Sequence, residues 1–202
     1  MNTNKILFLG DSVTDAHHST HNDLYGCGYV SMVYNHLNCA YNLNDLKVTN
    51  SGFNGHRSKD LLNRIDGLLE DEYDHIFVLI GVNDSWRKFD HNDETPVDIY
   101  KNNVETLIKI IKNKSNAKLI LMSPFVLKIN ELTNNIYEDL LPRQQTLKDL
   151  AITYGLEYID LQKEFDYACK HYEKRELAGD GIHPSILGHS LIATSVLKSL
   201  IK

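Results

Sequence analysis

The tripeptide Gly10-Asp11-Ser12 places a hydroxyl directly after a tight apolar run, Ile6-Leu7-Phe8-Leu9. Gly, Asp and Ser are ordinary turn residues, so taken alone the tripeptide reads as a strand exit. Its interest comes from distant partners. Near the other end of the chain, Asp180 and His183 stand three residues apart within Gly179-Asp180-Gly181-Ile182-His183-Pro184. In a loop or a first helical turn, that spacing lets the carboxylate reach back to the imidazole and fix its tautomer. A hydroxyl (Ser12), a base (His183) and a group that orients the base (Asp180) are what nucleophilic hydrolysis of an ester needs, together with donors aimed at the developing oxyanion. The candidate donors are the backbone N–H of Ser12, the backbone N–H of Gly52 in Asn50-Ser51-Gly52-Phe53-Asn54-Gly55, and the side-chain amide of Asn83 in Gly81-Val82-Asn83-Asp84. Glycine lets backbone approach a ligand closely, and asparagine donates without adding charge.

These groups need elements that bring them together. The run ending at Leu9 has four counterparts: Lys47-Val48-Thr49, His75 to Gly81, Ala117 to Met122 and Leu156 to Leu161. Their continuous apolar character predicts strands buried on both faces, as in a parallel sheet. Between them, helical spacing covers Tyr29 to Leu43, Ser58 to Leu69, Val97 to Lys112 and Glu138 to Tyr154, and a last helix opens with Pro184 near its first turn and runs to Leu200. Alternation of strand and helix predicts an α/β fold, a three-layer α/β/α sandwich of about five parallel strands in flavodoxin-like order. Ligands in such folds bind beyond the carboxyl ends of the strands. Ser12, the loop of Gly52 and that of Asn83 are expected there, with Asp180 and His183 in the loop entering the last helix.

Bulk properties exclude other classes. The 202 residues fit one domain, with no internal boundary, repeat or linker. No apolar run approaches the roughly 20 residues of a membrane span, and the apolar start is too short for a signal peptide, so cytoplasmic residence is expected. A net charge of −6 with scattered basic residues argues against a nucleic-acid or anionic-membrane partner and suits an uncharged substrate. Cys27, Cys39 and Cys169 are odd in number and widely spaced, which predicts buried thiols rather than disulfides or a zinc site. No cofactor is expected, and the sequence leaves a homo-oligomer open.

In order and spacing, the GDS block, the glycine of NSGFNG, GVND and DGIHP resemble the four blocks of the SGNH (GDSL-type) hydrolases, from Ile6 to His189. The one departure, Val13 in place of leucine, touches no chemistry. The resemblance implies Ser12 as nucleophile, Asp180 and His183 as its partners, and Gly52 and Asn83 as oxyanion donors. Trp86-Arg87 and Met122-Ser123-Pro124-Phe125 are similar to the branch holding acetylxylan and other carbohydrate acetyl esterases, which implies an acetylated sugar such as a xylooligosaccharide as substrate. A lysophospholipase or acyl-thioesterase would share the triad, and a non-catalytic flavodoxin-like binding module would lack it. Trp86 and Tyr25 are the candidate substrate contacts, and His56 and Arg57 lie close enough in sequence to join them. Asp11, Asp15 and Asp84 are expected to hold loops through backbone N–H groups. His17, His18 and His21 read as a solvated loop rather than a metal site, and His189 as a packed residue of the last helix.

Overall fold

The computed structural model describes residues 5–21, 23–41 and 45–201. Five strands, β1 (Lys5–Gly10), β2 (Lys47–Gly52), β3 (His75–Leu79), β4 (Lys118–Met122) and β5 (Glu157–Ile159), form one sheet in the order β2-β1-β3-β4-β5. All four pairings are parallel. This is the flavodoxin-like order expected from the sequence.

Successive side chains of a strand point to opposite faces, and the continuous apolar runs therefore feed two cores. Ile6, Phe8, Phe77, Leu79, Ile120 and Met122 face one layer. Leu7, Leu9, Ile76, Val78, Leu119 and Leu121 face the other. The first layer is covered by α3 (Tyr29–Tyr41), α8 (Leu161–Ala168) and α10 (Ile186–Leu200), and the second by α4 (Ser58–Leu68), α6 (Val97–Lys114) and α7 (Glu131–Tyr154). Shorter helices α1 (Ser12–Asp15), α2 (His18–His21), α5 (Val82–Asp90) and α9 (Lys174–Leu177) sit in the connections.

Several boundaries differ from the sequence reading, each for a local reason. The strand expected at 47–49 continues through Gly52, because Gly10 and Gly52 pair across the sheet. Residues after Gly81 coil into α5 rather than a loop. Helix α7 begins before Glu138, where Asn130 caps the Thr133 N–H and Thr133 returns the bond. Pro184 lies outside the last helix, whose N-cap is Ser185, and it bridges to Ala178 instead. The expected end of the first long helix at Leu43 lies outside the described residues. Cys27 and Cys39 are exposed rather than buried, and Cys169 is partly buried. Among the described residues no helix is long and apolar enough to cross a membrane.

Candidate active site

Helix α1 is a single turn that carries the serine off the end of β1. Asp11 caps it by accepting from the Val13 N–H at 3.0 Å, and Ala16 closes it in the left-handed region. Ser12 is its first residue, so the Ser12 N–H has no acceptor within the helix. The turn lies flat against the neighbouring strand end. A Cβ on Gly52 would fall 2.1 Å from the Asp15 backbone nitrogen, so only glycine fits there. Asn50 fastens the arrangement. Its Nδ2 donates to the carbonyls of Thr14 at 2.8 Å and Tyr25 at 2.9 Å, and its Oδ1 accepts from the Gly52 N–H at 3.0 Å.

The last loop delivers the other two groups. Ser12 Oγ lies 3.0 Å from His183 Nε2, and His183 Nδ1 lies 2.6 Å from Asp180 Oδ2. A carboxylate can only accept, so the proton resides on Nδ1 and Nε2 is left to accept from the serine. The second oxygen of Asp180 accepts the N–H groups of Ile182 at 2.9 Å and His183 at 2.7 Å, which locks the carboxylate to the loop that holds the imidazole. Burial would raise the Asp180 carboxyl, yet the bonds from His183 and these two N–H groups hold it well below the usual carboxylate range. The same bond holds His183 above its ordinary value, against partial burial and the positive charge of Arg87. Beside the serine, burial pushes Asp11 up to about 7, against the bond from Val13 and the charge of His183.

The third strand supplies Asn83 through α5. Arg143, a fully buried guanidinium of α7, donates to the carbonyls of Asp84 and Thr95. Asp84 in turn accepts from Ser58 N–H at 2.8 Å and Ser58 Oγ at 2.6 Å, tying α5 to α4. Burial raises the Asp84 carboxyl, with the Ser58 bonds pulling it back. Held in this way, Asn83 donates one Nδ2 hydrogen to the His56 carbonyl at 3.0 Å. Its Oδ1 accepts from Arg87 Nη2 at 3.2 Å.

Ser12 and His183 open on a cavity of about 390 Å³ lined also by Ala16, His17, Cys27, Asn54 and His189. His189 is buried, accepts the Tyr29 N–H at 3.2 Å and is pushed down to about 4 by burial, so it packs as a neutral ring, as expected. The Trp86 ring stands 5.9 Å from that of His183 and packs against the small core cluster of Val82 and Ile136, but like Tyr25 it is not among the residues lining this cavity.

Other expectations are redistributed. The Gly52 N–H is already given to Asn50, which withdraws it from the set of free donors. Gly55, three residues on, has φ +75, and its N–H has no partner among the described residues. A Cβ there would meet only Arg87 Nη2, at 3.7 Å, which places Gly55 beside the Asn83 amide. Tyr25 does not line the cavity, because its ring stacks on Tyr34 at 4.1 Å and packs against the core. Arg57 is paired with Asp93 at 2.6 Å, and the His56 ring stacks on Phe53 at 5.1 Å. Asp11, Asp15 and Asp84 all hold backbone N–H groups, as their positions suggested. In the histidine loop, His17 and His21 pack ring to ring at 5.1 Å and His18 bonds the Asp23 carbonyl. Among the described residues no cluster of three or more His, Cys, Asp and Glu is arranged to hold a metal ion.

The chain is similar over nearly its whole length to several known proteins. An acetylxylan esterase of Geobacillus stearothermophilus is 28% identical over 97% of this chain and 93% of its own length. The crystal structure of an acetylxylan esterase from that organism superposes with a TM-score of 0.89 at 27% identity, covering 99% of this chain and 96% of the other. Catalytic mutants of that esterase, solved separately, alter a serine, an aspartate and a histidine. An α/β hydrolase from the metagenome of Lake Arreo, Spain, superposes with a TM-score of 0.84 at 26% identity, covering 97% of this chain and 94% of the other. Residues 8–191 match the family described as GDSL-like lipase/acylhydrolase, and the chain belongs to that family.

Proposed function

We propose that this carboxylic ester hydrolase removes acetyl groups from acetylated xylooligosaccharides through an acyl-enzyme on Ser12. The observation that carries the reading is the unbroken line of hydrogen bonds from Ser12 Oγ through His183 to Asp180, opening on a cavity. As Ser12 Oγ attacks the acetyl carbon, its proton passes to His183 Nε2 and the carbonyl electrons move to oxygen. Asp180 keeps the proton on Nδ1 and stabilises the imidazolium. Nε2–H then protonates the departing sugar oxygen, leaving acetyl-Ser12. Water, deprotonated by His183, attacks this ester, Nε2–H returns that proton to Ser12 Oγ as the acyl bond breaks, and acetic acid leaves and ionises to acetate.

Three donors are assigned to the oxyanion: the Ser12 N–H, the Asn83 Nδ2 hydrogen that His56 does not take, and the Gly55 N–H in place of that of Gly52. Each lacks an acceptor among the described residues, and Asn54, next to Gly55, lines the same cavity as Ser12. The acetyl preference is supported by the relatives, and the Trp86 ring, 5.9 Å from that of His183, is the aromatic assigned to the acyl side of the site. A screen of acetylated xylooligosaccharides beside nitrophenyl acetate, butyrate and octanoate tests the assignment. Acetate release with kcat/KM falling along the acyl series is expected. A preference for octanoate would replace the sugar substrate with a lipid or thioester and leave the triad in place.

A further inference from the structure

Arg87 takes no part in the proton transfers, yet its guanidinium is bonded to the one side chain assigned to the oxyanion. Asn83 and Arg87 are one turn apart on α5, which brings them onto one face. Nη2 donates to Asn83 Oδ1 at 3.2 Å while Nη1 is paired with Asp90. The guanidinium also lies 5.1 Å from the centre of the Trp86 ring and is partly buried. The Asn83 amide is therefore gripped at both ends, with Oδ1 on Arg87 and one Nδ2 hydrogen on the His56 carbonyl. A primary amide has two N–H donors, and one remains.

A cationic donor on an amide oxygen draws electron density toward that oxygen and leaves the nitrogen-bound hydrogens more acidic. Bonds assisted by charge are roughly twice as strong as neutral ones, and linked hydrogen bonds polarise one another. Resting on the esterase reading above, we propose that Arg87 is a positioning residue that locks and polarises the Asn83 amide, making its free Nδ2 hydrogen a stronger oxyanion donor than an isolated asparagine supplies. The planar fork suits the task, since it spans Asn83 and Asp90 at once. A lysine offers the charge without the fork. If Arg87 merely braced α5 through Asp90, its removal would act on stability and would not depend on Asn83.

The test is a double-mutant cycle read by kcat and KM on a soluble acetyl ester, with thermal unfolding of each protein. Arg87→Gln should lower kcat about 10-fold and leave KM within about twofold, as the lost interaction strengthens only with the transition-state charge. In the Asn83→Ala background the same change should cost less than about twofold. Arg87→Lys should recover part of the loss, and it carries the cycle if Arg87→Gln does not fold. Equal losses in both backgrounds, or an effect confined to KM, would overturn the proposal while leaving the esterase reading intact. A parent protein inactive on every acyl ester would overturn that reading and this one with it.

Discussion

Replacing Asp180 by asparagine tests the logic of the site with little change in shape. In the parent, Oδ1 accepts from the N–H groups of Ile182 and His183 at 2.9 and 2.7 Å, and Oδ2 accepts from His183 Nδ1 at 2.6 Å. The amide oxygen of Asp180→Asn can keep the two backbone bonds, so the loop should stay in place. Its NH₂ then faces Nδ1, which must turn acceptor and send the proton to Nε2. A protonated Nε2 cannot accept from Ser12, 3.0 Å away. Holding the wrong tautomer costs on the order of 10⁴ in kcat for a triad of this kind. A second effect has its own sign. The bond to Asp180 is the main cause of the raised His183 pKa, so without the carboxylate that pKa falls and the imidazole stays neutral to lower pH. The residual kcat/KM, measured from about pH 5 to 9, should therefore lose activity at a more acidic pH than the parent does. Activity of Asp180→Asn within tenfold of the parent, or an acid limb displaced upward, would refute this reasoning.

In the parent enzyme, kcat/KM should fall with acid around a midpoint above the ordinary histidine value of about 6.5, because Asp180 raises His183 and the base must be neutral; a flat profile from about pH 5 to 8 would contradict it. Gly52→Ala should lower thermal stability by about 1–3 kcal/mol, because the new Cβ falls 2.1 Å from the Asp15 backbone and α1 must shift; an unchanged Tm measured by circular dichroism would contradict the close approach. Trp86→Ala should flatten the decline from acetate to octanoate, since a longer chain could then gain up to roughly 0.8 kcal/mol per buried methylene; an unaltered slope of kcat/KM would remove Trp86 from the acyl pocket.

The central strands were legible because strands buried on both faces leave uninterrupted apolar runs, and Ile6 to Leu9 feeds two cores at once, whereas the edge strand β5 is only half-buried, contrary to that expectation. Ser12, Asp180 and His183 were legible because their chemistry restricts residue type and short-range spacing. Helix α5 was not, since Asn83, Asp84 and Ser85 are polar yet buried and its apolar stripe is short. Gly52 and Gly55 could not be told apart in NSGFNG, where only the fold reveals that Asn50 Oδ1 takes the first N–H and that the second sits at positive φ beside Arg87. Tyr25 is an aromatic whose sequence neighbours do not reveal its partner, Tyr34, which lies on α3. The bracing by Asn50 and Arg143 likewise depends on long-range carbonyls, those of Thr14, Tyr25, Asp84 and Thr95, which no local pattern marks.

The central claim is that an acyl group passes through Ser12. Rapid acid quench of the enzyme mixed with nitrophenyl acetate, followed by peptide mass spectrometry, measures this most directly. The account predicts one acetyl group per chain on the peptide that bears Ser12, formed within the first turnover and absent in Ser12→Ala. Steady hydrolysis with no acetylated Ser12, or with the acetyl group on another residue, would contradict it.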